Sequence, residues 1–295
     1  MKHFKYQLLL IFGAFIWGSA FVAQSKGADV LPTFTFNTLR SVISVIAMTL
    51  LLPLLDKVRH IDKTKKKYDN KQLLLGGFLC GVILAIAMYL QQFGLAYTTV
   101  GKAGFLSALY VIFVPLVGIL LGRKVNLQFW IAVIIAMIGL YFLSLSEAES
   151  FAVGDLYVIA CAIVYTFHIL VVDYFAPRVD PIRLSLVQFA TVALVCVIPM
   201  IWIEKPNIED IKLAWIPLLY TGIISGGLGY TIQVVSQSKI KSHIASIIMS
   251  LESVFAALSG YLLLHEVMSG REVLGAILVF LALLLAQVKL KEKSS

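Results

Sequence analysis

The chain has 295 residues, of which 60% are hydrophobic and 14% charged, with a net charge of +8 and a mean hydropathy of +0.94. Soluble domains average about 45–50% apolar and about 25% charged residues, so a soluble enzyme, a disordered tail protein and a nucleic-acid-binding module are excluded. Ten bilayer crossings of about 20 residues would consume roughly 200 residues, leaving no room for a sizeable soluble domain.

Apolar runs bounded by charge and turn clusters predict ten segments, over residues 6–24, 34–55, 73–93, 103–121, 129–145, 156–175, 184–203, 214–235, 244–264 and 273–288. Each is read as a helix, because a spanning segment must satisfy its own backbone groups. Continuous Leu/Ile/Val/Ala runs do not fit the alternating ten-residue strands of a barrel. The first run follows Lys2 and Lys5. It is read as a retained helix rather than a cleaved signal peptide, because it is long and has a counterpart later in the chain. With a cytoplasmic N-terminus, 18 basic residues fall inside and five outside, with Arg40 left within the membrane. Both termini are therefore placed in the cytoplasm. Trp130, Trp202 and Trp215 fit interfacial anchoring, whereas Trp17 sits near the middle of the first helix.

Taken in chain order, several polar residues at membrane depth need a reason. Arg40 lies roughly 9 Å in from the outer end of the second helix. Its planar fork could bind a substrate carboxylate, snorkel outward, or pair with Glu252. Tyr89 and Gln92 share one face of the third helix, and Tyr230 and Gln233 share one face of the eighth. They read either as neutral solute ligands or as glue between helices. Tyr110 in the fourth helix and Gln188 in the seventh join the candidates, with Asn37 and Gln91 as weaker ones. His168 in the sixth helix could shuttle protons or simply be hydrogen-bonded. Glu252 lies about 12 Å into the ninth helix; it reads as a proton-titrating or solute-contacting carboxylate, or as a structural acceptor. Cys80, Cys161 and Cys196 form no CxxC pair, so neither a disulfide framework nor a metal site is expected, and no cofactor is expected. His265-Glu266 opens like HExxH, but position 269 is serine. GxSxG and Walker motifs are absent.

The chain also repeats itself. Residues 104–125 and 246–267 align without gaps at an offset of 142, and Tyr89 and Gln92 match Tyr230 and Gln233. Trp17 falls opposite Tyr165, and Pro32 opposite Pro181. Five crossings per half force the second copy into the opposite orientation, an inverted repeat of the kind that supports alternating access. In the ninth helix Ser246, Ser250, Ser253, Ala257 and Gly260 form a small-residue stripe, opposite Gly104, Ala108, Val111, Pro115 and Gly118 in the fourth. Such stripes allow close helix packing.

The run from Gln92 to Phe105, the Trp17-Gly18-Ser19 triplet, Pro32 with Arg40, Leu251-Glu252 and Leu264-His265-Glu266 together resemble the EamA-type bacterial carriers of the drug/metabolite transporter superfamily. Ser253 stands where the family pattern has proline, which counts against a proline hinge in the ninth helix, and Lys124 stands where the first copy often has glutamate. The resemblance implies ten helices, four of each half around a central cavity, with the fifth and tenth buttressing the outside.

The fold expected is an all-α integral membrane protein of ten transmembrane helices in two inverted five-helix repeats, residues 1–147 and 148–295. The function expected is a carrier in the bacterial cytoplasmic membrane that moves small polar or amphipathic solutes, amino-acid-like and outward. The cavity set is Trp17, Arg40, Tyr89, Gln92, Tyr110, His168, Gln188, Gln233 and Glu252, with Glu252 and His168 as proton-coupling candidates. The partners expected are the lipid bilayer and a small-molecule solute, with no nucleic acid; a homodimer is left open. The rivals are uptake of another metabolite class, a non-transporting scaffold or sensor, and an intramembrane enzyme, for which no catalytic constellation is found.

Overall fold

The computed structural model of the chain describes residues 4–58, 69–144, 152–264 and 269–287. The fold is built from helices alone among the described residues. In chain order they are α1 (Phe4–Ala28), α2 (Thr33–Val58), α3 (Asn70–Leu95), α4 (Val100–Ser107 and Tyr110–Leu120), α5 (Leu127–Ser144), α6 (Val153–Phe175), α7 (Pro181–Pro199, prolonged by a π turn over Met200–Glu204), a short connecting helix Ile208–Leu213, α8 (Trp215–Leu219, a π segment Tyr220–Gly229, and Tyr230–Gln237), α9 (Ser242–Met249 and Leu251–Leu264) and α10 (Gly270–Gln287). Every predicted segment coincides with one of these. Eight of the helical stretches are long and apolar enough to cross a bilayer; α5 supplies a shorter apolar helix and α10 runs for 18 residues. His265-Glu266 and much of the basic loop after α2 lie outside the described residues.

Local chemistry sets the ends. Asp69, Thr99, Asp180 and Asn207 accept backbone N–H groups at helix starts, satisfying donors that the first turn leaves open. Gly122, at φ +80, closes α4 with Arg123 N–H bonded to the Gly118 carbonyl at 2.9 Å. That backbone conformation favours glycine. The outer surface is a mantle of exposed leucine, isoleucine and phenylalanine, as a lipid-facing surface requires. Trp202 and Trp215 expose 79% and 57% of their area, as interfacial anchors do.

The two halves interlock through small residues. The helices α5 and α10 lie against each other so closely that a Cβ on Gly139 would stand 2.7 Å from the Gly275 carbonyl, and one on Gly275 2.5 Å from the Gly139 carbonyl. With no hydrophobic driving force between helices in lipid, such backbone approach supplies the packing. Gly139→Leu and Gly275→Leu should each cost about 1–3 kcal/mol by overpacking. A thermal midpoint in detergent equal to that of the parent chain would refute this contact.

Polar contacts fasten one half to the other at both faces. At the face assigned outside, the buried pair Lys102–Asp155 closes at 2.6 Å, and Glu204 accepts Phe34 N–H at 2.8 Å, Thr35 N–H at 2.6 Å and the Thr35 hydroxyl at 2.8 Å. At the opposite face, Arg123 bridges Asp173 and Ser242, each at 2.7 Å, and Arg183 reaches Asp56 at 2.6 Å. All four contacts join helix ends that the charge count puts on the same side.

Candidate functional site: a polar cavity between the halves

Two helices are interrupted at repeat-equivalent positions. In α4 the regular pattern stops after Ser107, and Val111 and Ile112 bond three residues back, to Ala108 and Leu109 at 2.9 and 3.0 Å. In α9 it stops after Met249, and Ser253 N–H bonds the Ser250 carbonyl at 3.2 Å. Residues 108 and 250 are 142 apart, the repeat offset. The break in α9 therefore needs no proline: the Ser250 hydroxyl bonds back to the Ile247 carbonyl at 2.9 Å, competing with the helix ladder. Ser253, in the place of the family proline, donates across to the Gly104 carbonyl of α4 at 2.7 Å.

Directly after these breaks stand Tyr110 and Glu252, themselves repeat partners. The Tyr110 hydroxyl donates to Glu252 Oε1 at 2.9 Å. This bond joins equivalent points of the two inverted copies. Both residues line a central cavity with Trp17, Phe21, Gln24, Arg40, Gln91, Tyr165, Ile169, Ser225, Tyr230, Gln233 and Met249. Its room for water centres is about 30 Å³, enough for about two or three water molecules.

Arg40 turns into the bundle and is 5% exposed, and Glu252 is 7% exposed. Snorkelling is thus not the conformation Arg40 adopts. Its Nη1 donates to Gln24 Oε1 at 2.9 Å, and its guanidinium lies 5.3 Å from the Phe36 ring. Its Nε has no partner among the described residues. No ion pair joins Arg40 to Glu252 among the described residues. A guanidinium and a carboxyl group thus face one small cavity without bonding to each other, which is costly unless a third party completes them. Trp17 Nε1 and Gln233 Oε1 are also buried without partners, which calls for an explanation of the same kind. The walls between are aromatic: Trp17 meets Tyr230 edge-on at 5.1 Å between ring centroids, and the Tyr165 and Tyr230 hydroxyls hydrogen-bond to each other.

Trp17, Arg40, Tyr110, Gln233 and Glu252 of the expected set are brought together here. Tyr89, Gln92, His168 and Gln188 are placed elsewhere. Tyr89 stacks between Phe34 at 4.5 Å and Phe93 at 5.7 Å. Gln92 donates to the Gln24 carbonyl at 2.9 Å, behind the lining. His168 and Gln188 bond each other at 3.1 Å in the packed interior. The two Tyr/Gln pairs part company because α3 is a continuous α-helix while α8 carries a ten-residue π segment immediately before Tyr230. Its wider turn changes the angle at which Tyr230 and Gln233 leave the axis. Sequence reasoning passed over Phe21, Gln24, Tyr165 and Ser225 as lining residues. Trp17, Phe21 and Gln24 follow at spacings of four and three on one helix face, and Tyr165 is the repeat partner of Trp17. Both signals were available; Ser225 had none.

Comparison with known proteins bears on the fold and the family. An uncharacterized transporter of Archaeoglobus fulgidus is 29% identical over 290 residues, 98% of this chain and 88% of that one. The uncharacterized transporter YoaV of Bacillus subtilis is 25% identical over 282 residues, 93% and 94% of the two chains. A solved crystal structure shares the fold at a TM-score of 0.74 with 16% identity, covering 95% of each chain. The EamA-like transporter family matches twice, over residues 4–145 and 152–287, and the chain therefore belongs to the EamA-like transporter family.

Proposed function

We propose that this transporter is a secondary carrier for a small zwitterionic, amino-acid-like solute, moved outward across the cytoplasmic membrane by alternating access. The observation that carries the reading is that Arg40 and Glu252 line one cavity without pairing with each other. A solute carboxylate would take the open donors of the Arg40 fork, and its ammonium group the free lone pairs of Glu252. Trp17, Tyr165 and Tyr230 would hold the carbon skeleton. The cavity is too small for such a solute as it stands, so admission requires the two halves to part. The repeat-matched breaks in α4 and α9, and the π segment of α8, are the places where the helices can yield. Sidedness, with both termini inside, rests on the 18-to-5 division of basic residues.

The test is flux in liposomes reconstituted with the full chain, screening labelled amino acids and nucleobases with and without imposed pH and voltage gradients. Saturable movement of an amino acid is the expected result, and Arg40→Gln should raise its half-saturation concentration about tenfold or more by removing a charged hydrogen bond. Movement of a nucleobase alone, or an unchanged half-saturation in Arg40→Gln, overturns the zwitterion assignment. No flux of any solute by a folded protein would favour a scaffold.

A further inference from the structure

A second concavity lies on the outside of the bundle, between α3, α4 and α6. Leu79, Val117, Leu121, Phe167 and Tyr174 line it, with Arg123 at its end, and it offers about 330 Å³ of room for water centres against about 30 Å³ for the central cavity. Leu79, Leu121, Phe167 and Tyr174 are all exposed, so the cleft opens sideways on the apolar outer surface of the bundle. From Phe167 to Tyr174 it runs about 10 Å along α6.

One end of this apolar slot is cationic. The left-handed turn at Gly122 fixes Arg123 there, where its Nη1 is shared by Asp173 and Ser242. A guanidinium carries five donors, so the same group can take a further anion. Lys124 is the exposed next residue, and the Arg178 guanidinium lies 3.9 Å from the Tyr174 ring that forms the wall. Three cations against Asp173 leave this end positive. It also belongs to the face with the excess of basic loops, the leaflet where anionic lipids concentrate.

We propose that the cleft is a binding site for an anionic phospholipid, one acyl chain lying along Leu121 and Phe167 and the phosphate resting on Arg123 and Lys124. A zwitterionic lipid would supply the chain but carries no net charge to match the cationic end. The site is separate from the central cavity and stands whatever solute the carrier moves.

Native mass spectrometry of the detergent-purified full chain, titrated with phosphatidylglycerol and with phosphatidylcholine, tests this. The parent should retain phosphatidylglycerol about tenfold more tightly, as basic residues at a membrane surface favour anionic lipid. Leu121→Trp should block the slot, and Arg123→Gln and Lys124→Gln should each erode the preference. Leu121→Trp leaves the Arg123–Asp173 contact intact, so its result stands even if Arg123→Gln weakens the fold. Equal affinity for the two lipids, a preference untouched by Leu121→Trp, or a stable dimer that Leu121→Trp dissociates while no lipid is retained would each overturn the assignment.

Discussion

Glu252→Gln should abolish solute accumulation driven by an imposed pH gradient while leaving solute-for-solute exchange in place. The substitution isolates one property. Glutamine keeps the carbonyl oxygen that accepts the 2.9 Å bond from the Tyr110 hydroxyl, so the contact between the two copies survives. What it loses is the ability to release and regain a proton. A carboxylate at membrane depth that only served as a structural acceptor would be replaced without consequence for pH-driven flux. Tyr110→Phe is the companion variant. It removes the donor and leaves the carboxyl, so it should slow transport yet keep the response to a pH gradient. Accumulation by Glu252→Gln equal to that of the parent, measured in liposomes with an acid interior, would remove proton coupling through this residue.

Why the ten helices could be read from the sequence, and much of the cavity could not, has a physical answer. Spanning helices are specified by composition over some twenty residues, a signal that averages over local irregularity. The inverted repeat was legible because the same residues recur at a constant offset, such as Phe113 with Phe255 and Gly118 with Gly260. A cavity wall depends instead on the angle at which each side chain leaves its helix, and that angle accumulates error at every irregular turn. Tyr230 and Tyr89 occupy equivalent places in the repeat, yet Tyr230 faces the cavity and Tyr89 stacks on Phe34. The π segment over Tyr220–Gly229 separates them, and its glycines read equally well as an ordinary packing stripe. The partnership of Arg40 with Gln24 was likewise invisible, because it crosses from one helix to another. Tyr110 with Glu252 is the instructive exception. Their offset equals that of the repeat, so the alignment already held the contact, and only its location on the axis between the copies was missing.

Gly18→Leu should leave little folded protein, and even Gly18→Ala should cost about 1–3 kcal/mol. A Cβ at this position would stand 2.4 Å from Phe255 Cβ, 2.6 Å from the Glu252 carbonyl and 2.7 Å from the Ala256 nitrogen. Two of those three neighbours are backbone atoms of α9, which cannot be relieved by turning a side chain. The helix α1 would have to withdraw, and it carries Trp17, Phe21 and Gln24 into the cavity wall. The damage would therefore reach both stability and the site. Gly13→Ala serves as the contrast, since its new Cβ would meet the Ile232 side chain at 3.3 Å and the Gly229 carbonyl no nearer than 3.9 Å. Thermal melting followed by size-exclusion chromatography in detergent should rank Gly18→Leu far below Gly18→Ala, with Gly13→Ala close to the parent. A Gly18→Ala midpoint matching the parent would mean that α1 and α9 have slack between them. The backbone of Glu252, the proposed partner of the solute ammonium, would then no longer be held by the helix that presents Trp17 to the same cavity.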